Sequence, residues 1–161
     1  MKRRNFIKQV ALATGALSLT SVNAEPLRNL TVSSPMAPGF KKSIMWGTVG
    51  MEGSVLDKCK AIKAAGYDSI EPNSHMDRKE VLDAVKATGL TISSVCCSTH
   101  WQKPLSSPDA AVRQEGIDGM IVALEDAKAY GTDAVLLVPG TVGDEVTYQE
   151  CWDRSTKEIK K

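Results

Sequence analysis

Apolar positions along this chain alternate between two spacings. In one, they recur three or four residues apart: Val55, Cys59 and Ile62; Val81, Leu82 and Val85; Ile117, Met120, Ile121 and Leu124. That is the spacing of one face of a helix. Between these stretches lie short segments at 43–49, 68–72, 91–97 and 133–138, each with an apolar centre. Segments of that length after a helix stop read as buried strands. Polar residues mark where each helix begins. Ser54 with Asp57, Asp77 with Glu80 and Thr147 with Glu150 have the spacing of capping pairs, and Ser107 stands ahead of Pro108 at a first helical position. Helices are therefore predicted after Ser54, Asp77, Ser107 and Thr147.

A phrase of lysine, two residues and glycine closes three of these stretches: Lys63 to Gly66, Lys86 to Gly89 and Lys128 to Gly131. Glycine just past a helix reaches the left-handed conformation without a Cβ clash, and lysine in the last turn complements the helix dipole. Repeated helix, glycine and strand mean parallel strands joined by helical crossovers. Two architectures accept that order, a doubly wound open sheet and a (β/α)8 barrel. The glycines at 47, 50 and 53 do not have the G-x-G-x-x-G spacing of a dinucleotide loop. Polar and aromatic residues after every strand fit the barrel. The expected fold class is α/β, a (β/α)8 TIM barrel with only its first four βα units present. A whole barrel takes roughly 200 residues or more, so the chain is expected to be a fragment, the N-terminal half of one, over 43–161.

The chain has 161 residues, with 20 Lys and Arg against 19 Asp and Glu, a formal net charge of +1. That balance argues against nucleic-acid binding through a broad basic surface. Residues 1–24 read as a leader: Lys2, Arg3, Arg4 and Lys8 at its head, a mildly apolar middle, and small residues at Val22-Asn23-Ala24. Arg3-Arg4-Asn5-Phe6-Ile7-Lys8 resembles a twin-arginine export signal, with an ordinary secretory leader as the alternative. The implied location is periplasmic or secreted, with no membrane attachment after the leader is removed. Residues 25–42, with Pro26, Pro35 and Pro38, read as a linker. The four cysteines show no C-x-x-C spacing and read as small buried apolar residues.

Three segments carry a resemblance to the xylose isomerase-like barrels of the sugar phosphate isomerase/epimerase superfamily: Gly66-Tyr67-Asp68-Ser69-Ile70-Glu71-Pro72-Asn73, His100-Trp101-Gln102-Lys103-Pro104-Leu105, and Ala134-Val135-Leu136-Leu137-Val138-Pro139-Gly140. The resemblance implies an isomerase or epimerase that shifts a proton or hydride on a sugar or sugar phosphate. It also implies a divalent metal such as Mn, Mg, Zn or Co. In that superfamily the metal ligands and catalytic pair come from later strands, so neither catalytic nor metal-binding residues are expected here. The present half is expected to supply the substrate wall. Glu71 would bind a sugar hydroxyl, or alternatively tie down a loop. Trp101 would stack on a sugar ring, with His100 and Lys103 on hydroxyls or phosphate; the alternative is that the pair braces its own loop. His75 reads as a loop brace and Trp46 as a core aromatic. A zinc endonuclease of the same superfamily would need more than the two histidines present. Other readings are a non-catalytic carbohydrate- or partner-binding barrel, and a half-barrel closed by homodimerisation through its free strand edges.

Overall fold

Parallel strands pair here strictly in chain order. In the computed structural model, which describes residues 39–161, β1 (Ser43–Met45) pairs with β2 (Ser69–Glu71), and β2 with β3 (Thr91–Ile92). β4 (Val95–Cys96) pairs with β5 (Val135–Leu136). The expected leader at 1–24 and all but the end of the expected linker lie outside the described residues. The helices are α1 (Val55–Ala64), α2 (Arg78–Thr88), α3 (Ala110–Tyr130) and α4 (Tyr148–Ile159).

The helix ends follow the local chemistry. Ser54 and Asp57 close a reciprocal capping box on α1, as Thr147 and Glu150 do on α4. The Asp77 side chain accepts the Glu80 N–H at the start of α2. Gly89 and Gly131 stop α2 and α3 in the left-handed region, at φ 67° and 74°, where a Cβ would be strained.

The elements depart from the sequence reading in several places, and the second and last strands are shorter than expected, at Ser69–Glu71 and Val135–Leu136. The first strand stops at Met45, and Trp46–Thr48 turns as one 3-10 helix. The run 91–97 is two strands rather than one, because Ser93 and Ser94 bend it. The Ser93 hydroxyl accepts or donates within the bend to Ser94 and donates to the Ile70 carbonyl, competing with regular pairing. A bridge between Asn73 and Cys96 carries the sheet across that bend. The cap of α3 is Asp109, whose carboxylate accepts the Ala111 N–H, while Ser107 accepts the Asp109 N–H one turn earlier. Finally, the buried line of α3 is Gly116, Gly119, Ala123, Asp126 and Ala127, not the bulkier stripe. Ile121 and Leu124 are half exposed. The physical reason is close approach: a loop lies against α3, and only small side chains leave it room.

The helices cover one face of the strands through two apolar clusters. Ile70, Cys59, Ile62, Ala84, Val85 and Leu90 form the first, with Trp46 packed at its margin as expected for a core aromatic. Burying Ile70 alone contributes about 1.5–3 kcal/mol. Val95, Cys97, Ala123 and Ala127 form the second. All four cysteines are free thiols. Cys97 lies in the second cluster, so Cys96, its neighbour, points to the other face.

Candidate functional site

Residues in register on parallel strands share a face. Ile70 points at the helices, so Glu71 points away from them, in register with Met45. The Glu71 carboxylate accepts a 2.6 Å hydrogen bond from the Ser94 hydroxyl. Across the same sheet the Ser43 and Ser93 hydroxyls meet at 2.7 Å. The face turned from the helices is thus lined by hydroxyls and one half-buried carboxylate. Glu71 also raises the thiol of Cys96, although burial is the larger cause.

The segment 98–109 follows β4 and carries three of the residues singled out from the sequence. His100 is buried and its Nδ1 accepts the Val138 N–H at 3.5 Å, joining the ends of the two neighbouring strands. That acceptor role leaves the ring proton on Nε2. Burial pushes His100 below its ordinary value, so the imidazole is neutral near pH 7. Trp101 stands edge-on to His100, with ring centroids 5.1 Å apart, and is largely exposed. Lys103 turns instead toward α3, where it pairs with Glu115. The structure therefore brings His100 and Trp101 together and directs Lys103 elsewhere.

The segment is held firmly. Gly116 and Gly119 of α3 meet the Lys103 carbonyl and the Thr99 side chain, at distances no Cβ could tolerate. Arg113 donates to the Ser107 and Pro108 carbonyls at 2.7 and 2.9 Å and to Glu158 on α4 at 3.1 Å. Arg154 donates to the Ser106 carbonyl, and the Ser106 hydroxyl accepts the Thr141 N–H. Glu158 is held below the usual carboxylate range by Lys161 and Arg113, against the opposing effect of burial. The sequence reading missed these arginines; Arg113 sits four residues after the true cap, where its side chain reaches back over the helix start.

His75 braces its loop. Its Nδ1 lies 3.0 and 3.1 Å from the Ser74 and Ser98 hydroxyls, and its backbone sits at φ 69°. The buried Asp126 carboxylate accepts the His75 N–H at 3.0 Å and the Arg78 Nε–H at 2.5 Å. Asp126 was not anticipated, since a lone acidic residue on a helix face gives no sequence signal. Nearby, the Tyr130 hydroxyl is buried without a hydrogen-bond partner, and burial pushes the phenol up to about 12.

Among the described residues no group of three or more His, Cys, Asp or Glu side chains could hold a metal ion. Glu71 is bonded to Ser94 and the Nδ1 of His100 to backbone, so these residues do not fit a metal centre by themselves. The strand face offers a polar wall with one carboxylate acceptor, and the segment after β4 offers one buried neutral imidazole beside one exposed aromatic ring.

Comparison with known proteins places this wall in context. A family model described as xylose isomerase-like TIM barrel matches residues 59–161. The L-ribulose-5-phosphate 3-epimerase of Salmonella paratyphi B is 29% identical over 113 residues, covering 62% of this chain and 38% of that protein. The apo crystal structure of a 3-keto-D-glucoside 4-epimerase from E. coli superposes with a TM-score of 0.60 at 16% identity, over 75% of this chain and 50% of that one. An AP endonuclease of family 2 from Brucella melitensis gives a TM-score of 0.60 at 16% identity, over 74% and 48%. At such identities the structures establish a TIM-barrel-like α/β fold. The chain spans 38% to 40% of the length of the curated relatives it matches.

Proposed function

The chain belongs to the xylose isomerase-like TIM barrel family, and on that footing we propose that it forms the substrate-binding wall of a sugar or sugar phosphate epimerase. The observation that carries this reading is Glu71. It is a carboxylate at the end of a strand, on the face away from the helices, with one oxygen engaged by Ser94. In a TIM barrel, strand ends of that kind line the active-site mouth. Similarity to an L-ribulose-5-phosphate 3-epimerase supports a ketose phosphate as the substrate class, one whose inverted carbon adjoins the carbonyl.

Epimerisation there removes a proton from the carbon next to the carbonyl and returns one to its opposite side through an enediolate. We assign the described residues to binding rather than to that proton transfer. Glu71 accepts a sugar hydroxyl, a polar and directional contact. His100 donates from Nε2 to an oxygen of the substrate while staying uncharged. Trp101 stacks on the apolar side of the sugar. Lys103, paired with Glu115, contributes charge to the mouth only if that pair opens on phosphate binding.

Titration of the chain with L-ribulose 5-phosphate, followed by tryptophan fluorescence and by NMR amide shifts, tests this. Saturable binding with shifts at Glu71, Ser94 and His100 is expected. Trp101→Phe should abolish most of the fluorescence change, leaving Trp46 and Trp152 as bystanders. Glu71→Ala should weaken binding roughly tenfold or more, the worth of a hydrogen bond to a charged group. Shifts confined to other surfaces, or no saturation, would sink the proposal.

A further inference from the structure

The loops that leave β2 and β4 meet in a small triangle of polar side chains. The Ser74 and Ser98 hydroxyls lie 3.0 Å apart, and His75 Nδ1 lies 3.0 Å from the first and 3.1 Å from the second. Both loops follow the C-terminal ends of their strands, the end that forms the active-site mouth of a TIM barrel. We infer that His75 is a further binding residue of that mouth, donating from Nε2 to an oxygen acceptor of the substrate. His75 adds a donor to the sugar-binding wall read from Glu71, a reading on which this assignment rests.

The serine hydroxyl protons decide which ring nitrogen carries a proton. The Ser74 oxygen accepts the Ser98 N–H at 2.9 Å, so its own proton is left for one of its other two neighbours. With both hydroxyl protons used inside the triangle, one joins the two serines and the other goes to Nδ1. Nδ1 is then an acceptor and the ring proton lies on Nε2. Both contacts of the ring fall on Nδ1, and His75 is exposed. The Nε2–H is therefore presented to solvent with its tautomer and orientation fixed from behind.

The backbone is held as firmly as the ring. Among the described residues His75 is the one non-glycine residue at positive φ, 69°. Such a conformation is uncommon outside glycine, and it persists where the surroundings impose it. Here the buried Asp126 imposes it: one carboxylate oxygen accepts the His75 N–H at 3.0 Å while the other accepts from Arg78. Bracing the loop does not call for histidine. Glycine would make the same turn without strain, and the bond from the Ser98 N–H to Ser74 already ties the two loops. What histidine adds is the second ring nitrogen.

Titration of the full 161-residue chain with L-ribulose 5-phosphate, read by amide and imidazole nitrogen NMR shifts, tests this. In the free chain His75 should read pyrrole-like at Nε2 and pyridine-like at Nδ1, and Nε2 should move on saturation. His75→Phe keeps a ring without a donor and should weaken binding about three- to tenfold, the worth of one neutral hydrogen bond. His75→Gln places an amide N–H near the Nε2 position and should bind within about twofold of the parent. L-Ribulose in parallel names the acceptor: loss with both ligands marks a sugar oxygen, loss with the phosphate ester alone a phosphate oxygen. The opposite tautomer, or a His75→Phe variant that binds like the parent, would overturn the assignment. The ring shifts come from the unaltered chain, so they decide the matter even if a variant fails to fold. Binding with shifts at Glu71 but none at His75 would remove His75 and leave the wall standing. Weakening in His75→Phe with none in Glu71→Ala would sustain His75 and remove Glu71, and a parent that binds neither ligand would overturn both.

Discussion

The Thr99 side chain occupies the space that a β-carbon on Gly119 would need. One residue opens the longest described loop and the other lies in the middle of the longest helix. Their contact seats the His100–Trp101 segment on α3. Gly119→Ala should therefore destabilise the chain by about 1–3 kcal/mol through overpacking, even though alanine favours helix over glycine by about 1 kcal/mol. Urea denaturation of Gly119→Ala, Thr99→Ala and the double variant would measure it. The double variant should recover part of the loss, because the clash is between those two residues. Strict additivity would mean that the contact does not matter.

Asp126 should be the costliest single carboxylate to remove. Its side chain is only 2% exposed and holds both the His75 N–H and the Arg78 guanidinium. Asp126→Ala leaves those donors facing a buried gap and should cost roughly 2–4 kcal/mol. Asp126→Asn keeps an acceptor oxygen and should lose less. Denaturant midpoints for the two variants, with the His75 amide followed by NMR, would check the order.

Stability should fall with acid through His100. Burial lowers its pKa below the ordinary 6.5, so the unfolded chain takes up the proton first as pH drops. The contribution is complete above the unfolded value and disappears progressively as pH falls toward the lowered folded value. Denaturation midpoints from about pH 8 to about pH 5 should drop further for the parent than for His100→Gln. Parallel curves would show that His100 does not carry the effect.

Much of the local structure was legible from residues that act through their own backbone. Ser54, Thr147, Gly89 and Gly131 did what their chemistry dictates within one turn of the chain. The parallel order followed from repeating that unit. The bend at Ser93 and Ser94 was not legible, because two serines in an apolar run resemble a strand's polar interruption. Nor was the buried side of α3. Bulk usually signals burial, but there the nearest neighbour is a backbone, and Gly116 and Gly119 face it while Ile121 and Leu124 do not. Glu71 lies on the strand face opposite Ile70, as alternation along a strand requires. Its partner Ser94 depended on the bend and could not be foreseen.

The two apolar clusters do not share a buried residue. They are linked by the Asn73–Cys96 bridge, by the Asp126 ties to His75 and Arg78, and by backbone bonds across the bend. On that division we predict two steps of opening rather than one. Opening of the β4–α3–β5 portion need not melt β1, β2, α1 and α2. Amide hydrogen exchange in mild denaturant should then sort into two classes that change over near Ser93, and a single shared opening energy would contradict it. The residues nearest that border include Glu71 and Ser94. The polar wall would then be formed only while both units are closed, which makes ligand binding there a sensor of the less stable unit.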